Sequence, residues 1–590
     1  MKQFFKFVFA SMLGFILSYI LVIFIVIGIV AAVVSSTQKE VTVEKKTVLV
    51  LKLNTPIAER TSDNPFSSMK FGSFDNLNDL GLDDILSNIK KAERDDNIKG
   101  IYLDLSDFPS GMGTLEDIRN ALISFKKSGK FIVSYGEVYS QKAYYLATVS
   151  DKIYLNPEGD LMLKGMGGEL MFFKGTLEKL GIEMQIIRHG KFKAATEPFF
   201  LDKMSPENRV QTQAYVNALW NHMVQGMAES RKITPEEINA MADKLAIENP
   251  QAAIARKLVD SLSYKDGVLE VIRKKLGIGK DVAINTIGIN KYDDVFVADT
   301  KKESSKDKIA VVYAFGDVVD GEGDQTNIGG ERISRAIRKA RLDKNVKAVV
   351  LRVNSGGGSA LASEVILREI LLTRQAKPVV ASFGDVAASG GYYIACAANT
   401  IFAQPNTITG SIGVFGIIPN LGKMMKDKLG ITTDLVKTNE NSDYFPTTHP
   451  LSDYQKAVLT RSIEKIYGTF IKHVSEGRKM TVAQVDSIGQ GRVWSGVDAK
   501  RIGLIDNFGG LDKAIEAAAG LAKLKNYKVT KLPEMKDPFS QILEQFSGDY
   551  KEDAIMKSYL GDQYVYLKKI KDLKNMHGIQ ARMPFEIDLK

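Results

Sequence analysis

Three hydrophobic patterns alternate along the 590-residue chain. From Phe7 to Val34 no residue is charged, and a helix rising about 1.5 Å per residue through that run exceeds the roughly 30 Å core of a bilayer. The run predicts a transmembrane helix over 7–34. Cleaved secretory signals carry an apolar region of roughly 7 to 15 residues, so an uncleaved anchor is expected here, despite the small residues of AAVVSS before Thr37. Further on, short runs rich in β-branched residues, VLVLKLN (48–54), IKGIYLDL (98–105), IAVVYAF (309–315) and VKAVVLRV (346–353), predict strands buried on both faces. Segments with helical periodicity, around Ile85–Arg94 and Ile333–Leu342, lie between them. Near-continuous apolar strands alternating with amphipathic helices imply an α/β fold with a largely parallel sheet covered on both faces.

The pattern occurs twice. Shifted by 248 positions, residues 85–168 align with 333–416 without a gap: SYGEVYSQKAYYLATVSDKIYLNP (134–157) lies on SFGDVAASGGYYIACAANTIFAQP (382–405). The match continues through LGIEMQII (180–187) on LGITTDLV (429–436) and ESRKIT (229–234) on EGRKMT (476–481). A tandem duplication follows. The expected organisation is an N-terminus over 1–6, an anchor over 7–34, a juxtamembrane linker over 35–47, one repeat over 48–297, a polar linker over 298–308, a second repeat over 309–536 and an extension over 537–590. The extension has no counterpart in the first repeat and carries one predicted helix, near Tyr564–Lys574.

Composition narrows the chemistry. The net charge of +9 is spread among 70 acidic residues without a dense basic block, which argues against nucleic-acid binding. A single cysteine, Cys396, excludes an intramolecular disulfide framework, and the five histidines show no ligand spacing, so no metal or other cofactor is expected. If the helix after Ser389 continues, Cys396 lies on the same face as a packed small residue.

The informative positions are those where the copies differ. Ser389 stands opposite Gln141, whereas Lys193 in RHGKFKAATEPF stands opposite Ser442 at the shift of 249 that aligns the preceding segments. One site shared between the halves explains both losses. A serine hydroxyl needs a base to become a nucleophile, and a lysine amine serves as that base when burial lowers its pKa. Acyl transfer also needs donors for the oxyanion: the N–H of Gly390 is one candidate, and a glycine of NSGGGS (354–359) the other, Gly357 first and Gly358 second. Taken alone, AASGG also fits a close-packed helix start capped by Ser389. NSGGGS also fits a turn, and lacks the endings of phosphate-binding loops. Two other functions share some of these features: a crotonase-type acyl-CoA hydratase or thioesterase, and a non-catalytic membrane scaffold.

NSGGGS, GDVAASGGYYIA, TGSIGV (409–414), GKFKAATEPF and LDKMSPENR together resemble the long, tandem-repeat form of the signal peptide peptidase A family, over about residues 45–535 and the anchor. The resemblance implies a crotonase-like, Clp-protease-like fold and a membrane-anchored serine protease that degrades remnant signal peptides. It implies Ser389 as nucleophile and Lys193 as general base, with Lys191 the rival, and Ser411 of TGSIG as the residue that orients the lysine. It further implies a homotetrameric dome enclosing an apolar cavity, with residues 1–6 in the cytoplasm of a bacterium and the rest in the periplasm. The family usually has proline where this chain has Gly356, which leaves the loop more flexible.

Overall fold

The computed structural model describes residues 2–36, 41–61, 80–297, 305–535, 556 and 579–583. The predicted helix near Tyr564–Lys574 and residues 298–304 of the expected linker lie outside the described residues.

A helix, Lys2–Ser36, opens the chain, and it is long and apolar enough to cross a membrane. Two sheets with the same plan follow. The first runs Ser261–Leu262, Lys152–Leu161, Phe131–Tyr139, Ile98–Asp104, Thr47–Leu51, Thr286–Gly288, all parallel. The second, of eight strands, contains that order as Asn507–Phe508, Thr400–Ala403, Val379–Ala388, Val346–Ser355, Lys308–Phe315, Lys528–Leu532, these six parallel, and adds Ile408–Gly410 beside Val379–Ala388 with Val493–Ser495 antiparallel to it. Strand period 2 sends Ala310, Val312 and Ala314 into one apolar cluster and Ile309, Val311 and Tyr313 into another, so both faces of this sheet are covered. The predicted amphipathic helices are present as Leu82–Arg94 and Gly330–Leu342.

The duplication extends to side-chain contacts. Tyr145 donates to Glu116 at 2.9 Å, with His222 3.1 Å from the same carboxylate. Tyr393 donates to Glu364 at 2.5 Å, with His473 at 3.1 Å. Arg231 with Asp260 and Arg478 with Asp506 form a second matched pair.

The two halves are joined by a buried ionic cluster. Arg352 of the second repeat contacts Glu59 at 2.8 Å and Asp117 at 3.1 Å, both from the first. Burial pushes the Asp117 carboxyl up to about 7, outweighing the attraction of Arg352. Removing either partner of such a buried pair strands a charge, so the cluster fixes how the halves meet.

A third, small sheet belongs to both repeats. Its order is Ile328–Gly329, Val318–Val319, Gly357–Ser359, Ile579–Arg582, Phe415–Asn420, Glu183–Arg188. Glu183–Arg188, from the first repeat, pairs antiparallel with Phe415–Asn420 of the second. Its sequence counterpart 432–437 forms no strand.

Candidate active site

The strand Val379–Ala388 ends directly before Ser389, and the short helix Gly390–Tyr393 begins directly after it. Between them Ser389 takes φ 54° and ψ −115°, a conformation that costs a non-glycine residue roughly 1–3 kcal/mol. Two backbone bonds hold it there: Ser389 N donates to Gly410 O at 2.8 Å, and Tyr393 N to Ser389 O at 2.8 Å. The helix does not run on to Cys396 as expected; it ends at Tyr393, and turns carry the chain onward. Cys396 is nonetheless packed in the core, and burial pushes its thiol up to about 12.

Lys193 arrives from the other repeat. Its Nζ lies 2.7 Å from Ser389 Oγ, 3.0 Å from Ser411 O and 3.1 Å from Ser411 Oγ. Lys193, Ser389 and Ser411 all have zero exposure, and burial holds the Lys193 amine well below the usual lysine range. Lys191, two residues earlier, is exposed. The chain thus brings one amine, out of the two in GKFK, to the serine.

Several residues that sequence reasoning missed set this approach. Gln211 accepts from Val493 N at 3.0 Å and donates to Phe192 O at 3.0 Å, bridging the lysine loop to the second repeat. Phe192 N donates to Gln490 O at 3.0 Å, and Gly491 N to Ile412 O at 2.7 Å, so the loop lies against 490–491. Gly491 has φ 81°, and a Cβ there would stand 2.6 Å from the Lys193 backbone and Cβ. No repeat counterpart marks it in the sequence; close approach alone requires glycine. Asn354 was hidden in the loop motif: its side chain donates to Glu59 at 2.7 Å and accepts from Val386 N at 3.1 Å, tying NSGGGS to the strand that leads to Ser389.

The candidate oxyanion donors sit together. A Cβ on Gly357, which has φ 98°, would lie 2.6 Å from Gly390 N and 2.1 Å from Ala581 O. The Gly357 N–H itself donates to Ser355 Oγ at 3.1 Å. The antiparallel ladder pairs Gly358 with Ala581, and Met583 N donates to Gly356 O at 2.6 Å. Hydrogen-bonded pairs alternate in such a ladder, so the next one after Gly356 and Met583 is Gly358 and Ala581. At Gly356, where the resembling family has proline, a Cβ would meet only Met583 Cβ, at 3.8 Å.

Among its described residues the first repeat has no equivalent constellation. Gln141, opposite Ser389, accepts from Lys164 N and Gly165 N and donates to Gly165 O, closing the corresponding corner with its amide. Ser442, opposite Lys193, is exposed and bonds within its own turn. Among the described residues no cluster of three or more metal-ligating side chains occurs.

The chain is similar over most of its length to known proteins. Protease 4 of Salmonella typhi is 37% identical over 517 residues, covering 85% of this chain and 82% of its own. Serine protease SPPA, chloroplastic, of Arabidopsis thaliana is 32% identical over 509 residues, covering 85% and 74%. A ClpP1 mutant from Listeria monocytogenes aligns over 35% of this chain and 94% of its own at 15% identity, with a TM-score of 0.24, and adds nothing to the assignment. The model of peptidase family S49 matches residues 124–279 and again 372–525, once in each repeat. This chain, two α/β repeats behind one apolar helix, belongs to peptidase family S49.

Proposed function

We propose that the chain is a membrane-anchored serine endopeptidase whose dyad is Ser389 and Lys193, acting on remnant signal peptides and other short or unfolded apolar peptides. The observation that carries this reading is the 2.7 Å approach of a fully buried lysine amine to the hydroxyl of a serine held in a strained turn. Neutral Lys193 takes the serine proton as Ser389 Oγ attacks the peptide carbonyl. Lys193 returns that proton to the leaving amine, and then activates the water that hydrolyses the acyl-enzyme. Ser411, accepting from the lysine through both its hydroxyl and its carbonyl, fixes the amine's direction. The oxyanion is held by Gly390 N–H together with a loop glycine. Of the two loop candidates, Gly358 suits the role better, because Gly357 N–H is engaged with Ser355.

Substrate enters as an extended strand between Gly357–Ser359 and Phe415–Asn420, where backbone pairing selects unfolded chains and leaves folded ones outside. A serine-reactive fluorophosphonate tests the nucleophile directly. The expected result is labelling of Ser389 alone in the parent and none in Ser389→Ala; labelling that persists in the variant contradicts the assignment.

Residues 7–34 hold the enzyme in the bacterial cytoplasmic membrane with 1–6 inside and the catalytic part in the periplasm. The assembly we propose is a head-to-tail ring of four copies. Support comes from the pairing of Glu183–Arg188 with Phe415–Asn420: the repeat counterparts, 432–437 and 167–172, are both unpaired within the chain. The first carries exposed Leu435 and Val436, the latter 94% exposed, and the second exposed Met171. A heterologous contact between these two edges on successive copies closes into a ring. Val436→Asp is therefore expected to convert the detergent-solubilised oligomer to smaller species in light scattering after size exclusion; an unchanged mass contradicts this interface.

A further inference from the structure

The glycine loop 354–359 of the second repeat is gripped at its start by the first. Asn354 Nδ2 donates to Glu59 Oε1 at 2.7 Å and to Asp385 Oδ2 at 3.3 Å. Glu59 comes from the first repeat, and its other oxygen accepts from Arg352 Nε at 2.8 Å. Asp385 comes from the second, but it accepts in turn from Thr114 N at 2.8 Å and Thr114 Oγ1 at 3.0 Å, in the first turn of the helix Met112–Lys126. Two lines of contact from one repeat thus converge on a single amide of the other.

That amide governs where the glycines sit. Asn354 Oδ1 accepts from Val386 N at 3.1 Å, on the strand that leads to Ser389. A Cβ on Gly384 of the same strand would stand 2.5 Å from Glu59 Oε1 and 2.9 Å from Asn354 Cγ, so the carboxylate and the amide both press on it. The loop that carries Gly358 and the strand that delivers Ser389 and Gly390 are therefore tied at one point. Farther along, the loop is anchored within its own repeat, by Ser355 Oγ on Gly316 O and by Ser359 Oγ on Asp320 Oδ1, each at 2.6 Å. Glu59 and Arg352 are both buried, where hydrogen bonds to a charged group hold more strongly than in water.

Resting on the peptidase reading above, we propose that Glu59 is a positioning residue for the oxyanion hole, acting through Asn354 to fix the spacing between the N–H groups of Gly358 and Gly390. The first repeat then serves the site twice, with the base Lys193 and with the carboxylate that sets the oxyanion donors. Its effect falls on the transition state, because the oxyanion forms only there. Glutamine at position 59 has one accepting oxygen in place of two. Whichever of Asn354 and Arg352 that oxygen serves, the new NH2 group faces the N–H of the other.

Steady-state hydrolysis of a fluorogenic apolar peptide by the detergent-solubilised full chain, beside inhibition by an apolar tripeptide aldehyde, tests this. The aldehyde adds to a serine hydroxyl as a tetrahedral hemiacetal whose oxygen lies in the hole, so its Ki follows the donors while KM follows the groove. Glu59→Gln and Asn354→Ala are each expected to lower kcat about 10²-fold, to raise the aldehyde Ki by a similar factor and to leave KM nearly unchanged. Asn354→Ala keeps Arg352 paired with Glu59 and Asp117, so it reads the loop even where Glu59→Gln disturbs folding. A folded Asn354→Ala variant with the parent kcat and Ki overturns the positioning role and leaves the peptidase reading intact, as does a loss confined to KM or a fall in kcat without a change in Ki. A parent that neither hydrolyses the peptide nor binds the aldehyde overturns both.

Discussion

Replacing Lys193 with methionine is expected to lower kcat/KM on an unstructured apolar peptide by about 10³-fold or more, and at the same time to raise thermal stability at neutral pH. Both effects come from one burial. Lys193 has zero exposure, and burial is what depresses its pKa. The folded protein therefore prefers the neutral amine, the form that the proposed mechanism needs to take the Ser389 proton. In the unfolded chain the same amine titrates near 10.4. Between its folded pKa and about 10.4 the unfolded state binds one proton more, so this group makes stability rise with pH at about 1.4 kcal/mol per unit. Below the folded pKa both states are protonated and the cost is complete. Methionine, apolar and of similar length, carries no such cost. The gain in Tm of Lys193→Met over the parent should thus be largest at low pH and shrink toward about pH 10, as calorimetry across that range would read. Parent activity moves in the same direction for the catalytic reason: it rises as pH passes upward through the folded pKa of Lys193. A gain in Tm that is independent of pH would contradict the titration argument.

Gly491→Ala is expected to lose about 10²-fold in kcat with a smaller change in KM. The added Cβ would sit 2.6 Å from Lys193 N, Cα and Cβ, and the residue would have to keep φ 81°. Backbone on both sides of the clash leaves the lysine loop to move. A displacement near 1 Å from a reacting geometry costs about that factor, and Nζ stands only 2.7 Å from its target now. The groove strands Gly357–Ser359 and Phe415–Asn420 are elsewhere, so substrate binding is less affected. Steady-state kinetics beside circular dichroism separates this outcome from unfolding; an unchanged kcat in a folded variant contradicts the account.

The parallel sheets were legible because their strands are apolar on both faces, a pattern that IAVVYAF and VKAVVLRV carry without help from context. The contact between Ser389 and Lys193 was legible through the duplication, since each stands opposite a residue of another kind, Gln141 or Ser442. The structure gives both of those positions other uses: Gln141 closes a corner with its amide, and Ser442 bonds within an exposed turn. What sequence could not reveal depends on approach across the halves. Gly491 is one glycine among 49 until Lys193 is placed against it, and Gln211 is a helical glutamine until it meets Val493. The strand Ile579–Arg582 was missed for a related reason: a four-residue segment has too little periodicity to read, and its pairing partners lie more than 150 residues away. Repeat matching also does not carry secondary structure with it everywhere, because 432–437 aligns with the strand Glu183–Arg188 but forms no strand.

The most direct test of the central claim is hydrolysis of a fluorogenic apolar peptide by the detergent-solubilised full chain, comparing the parent with Ser389→Ala, Lys193→Met and Lys191→Met at matched fold and oligomeric state. The account predicts that the Ser389 and Lys193 variants lose turnover while Lys191→Met keeps the parent rate, since Lys191 is exposed and only Lys193 reaches the serine. Hydrolysis by Ser389→Ala at the parent rate would contradict it.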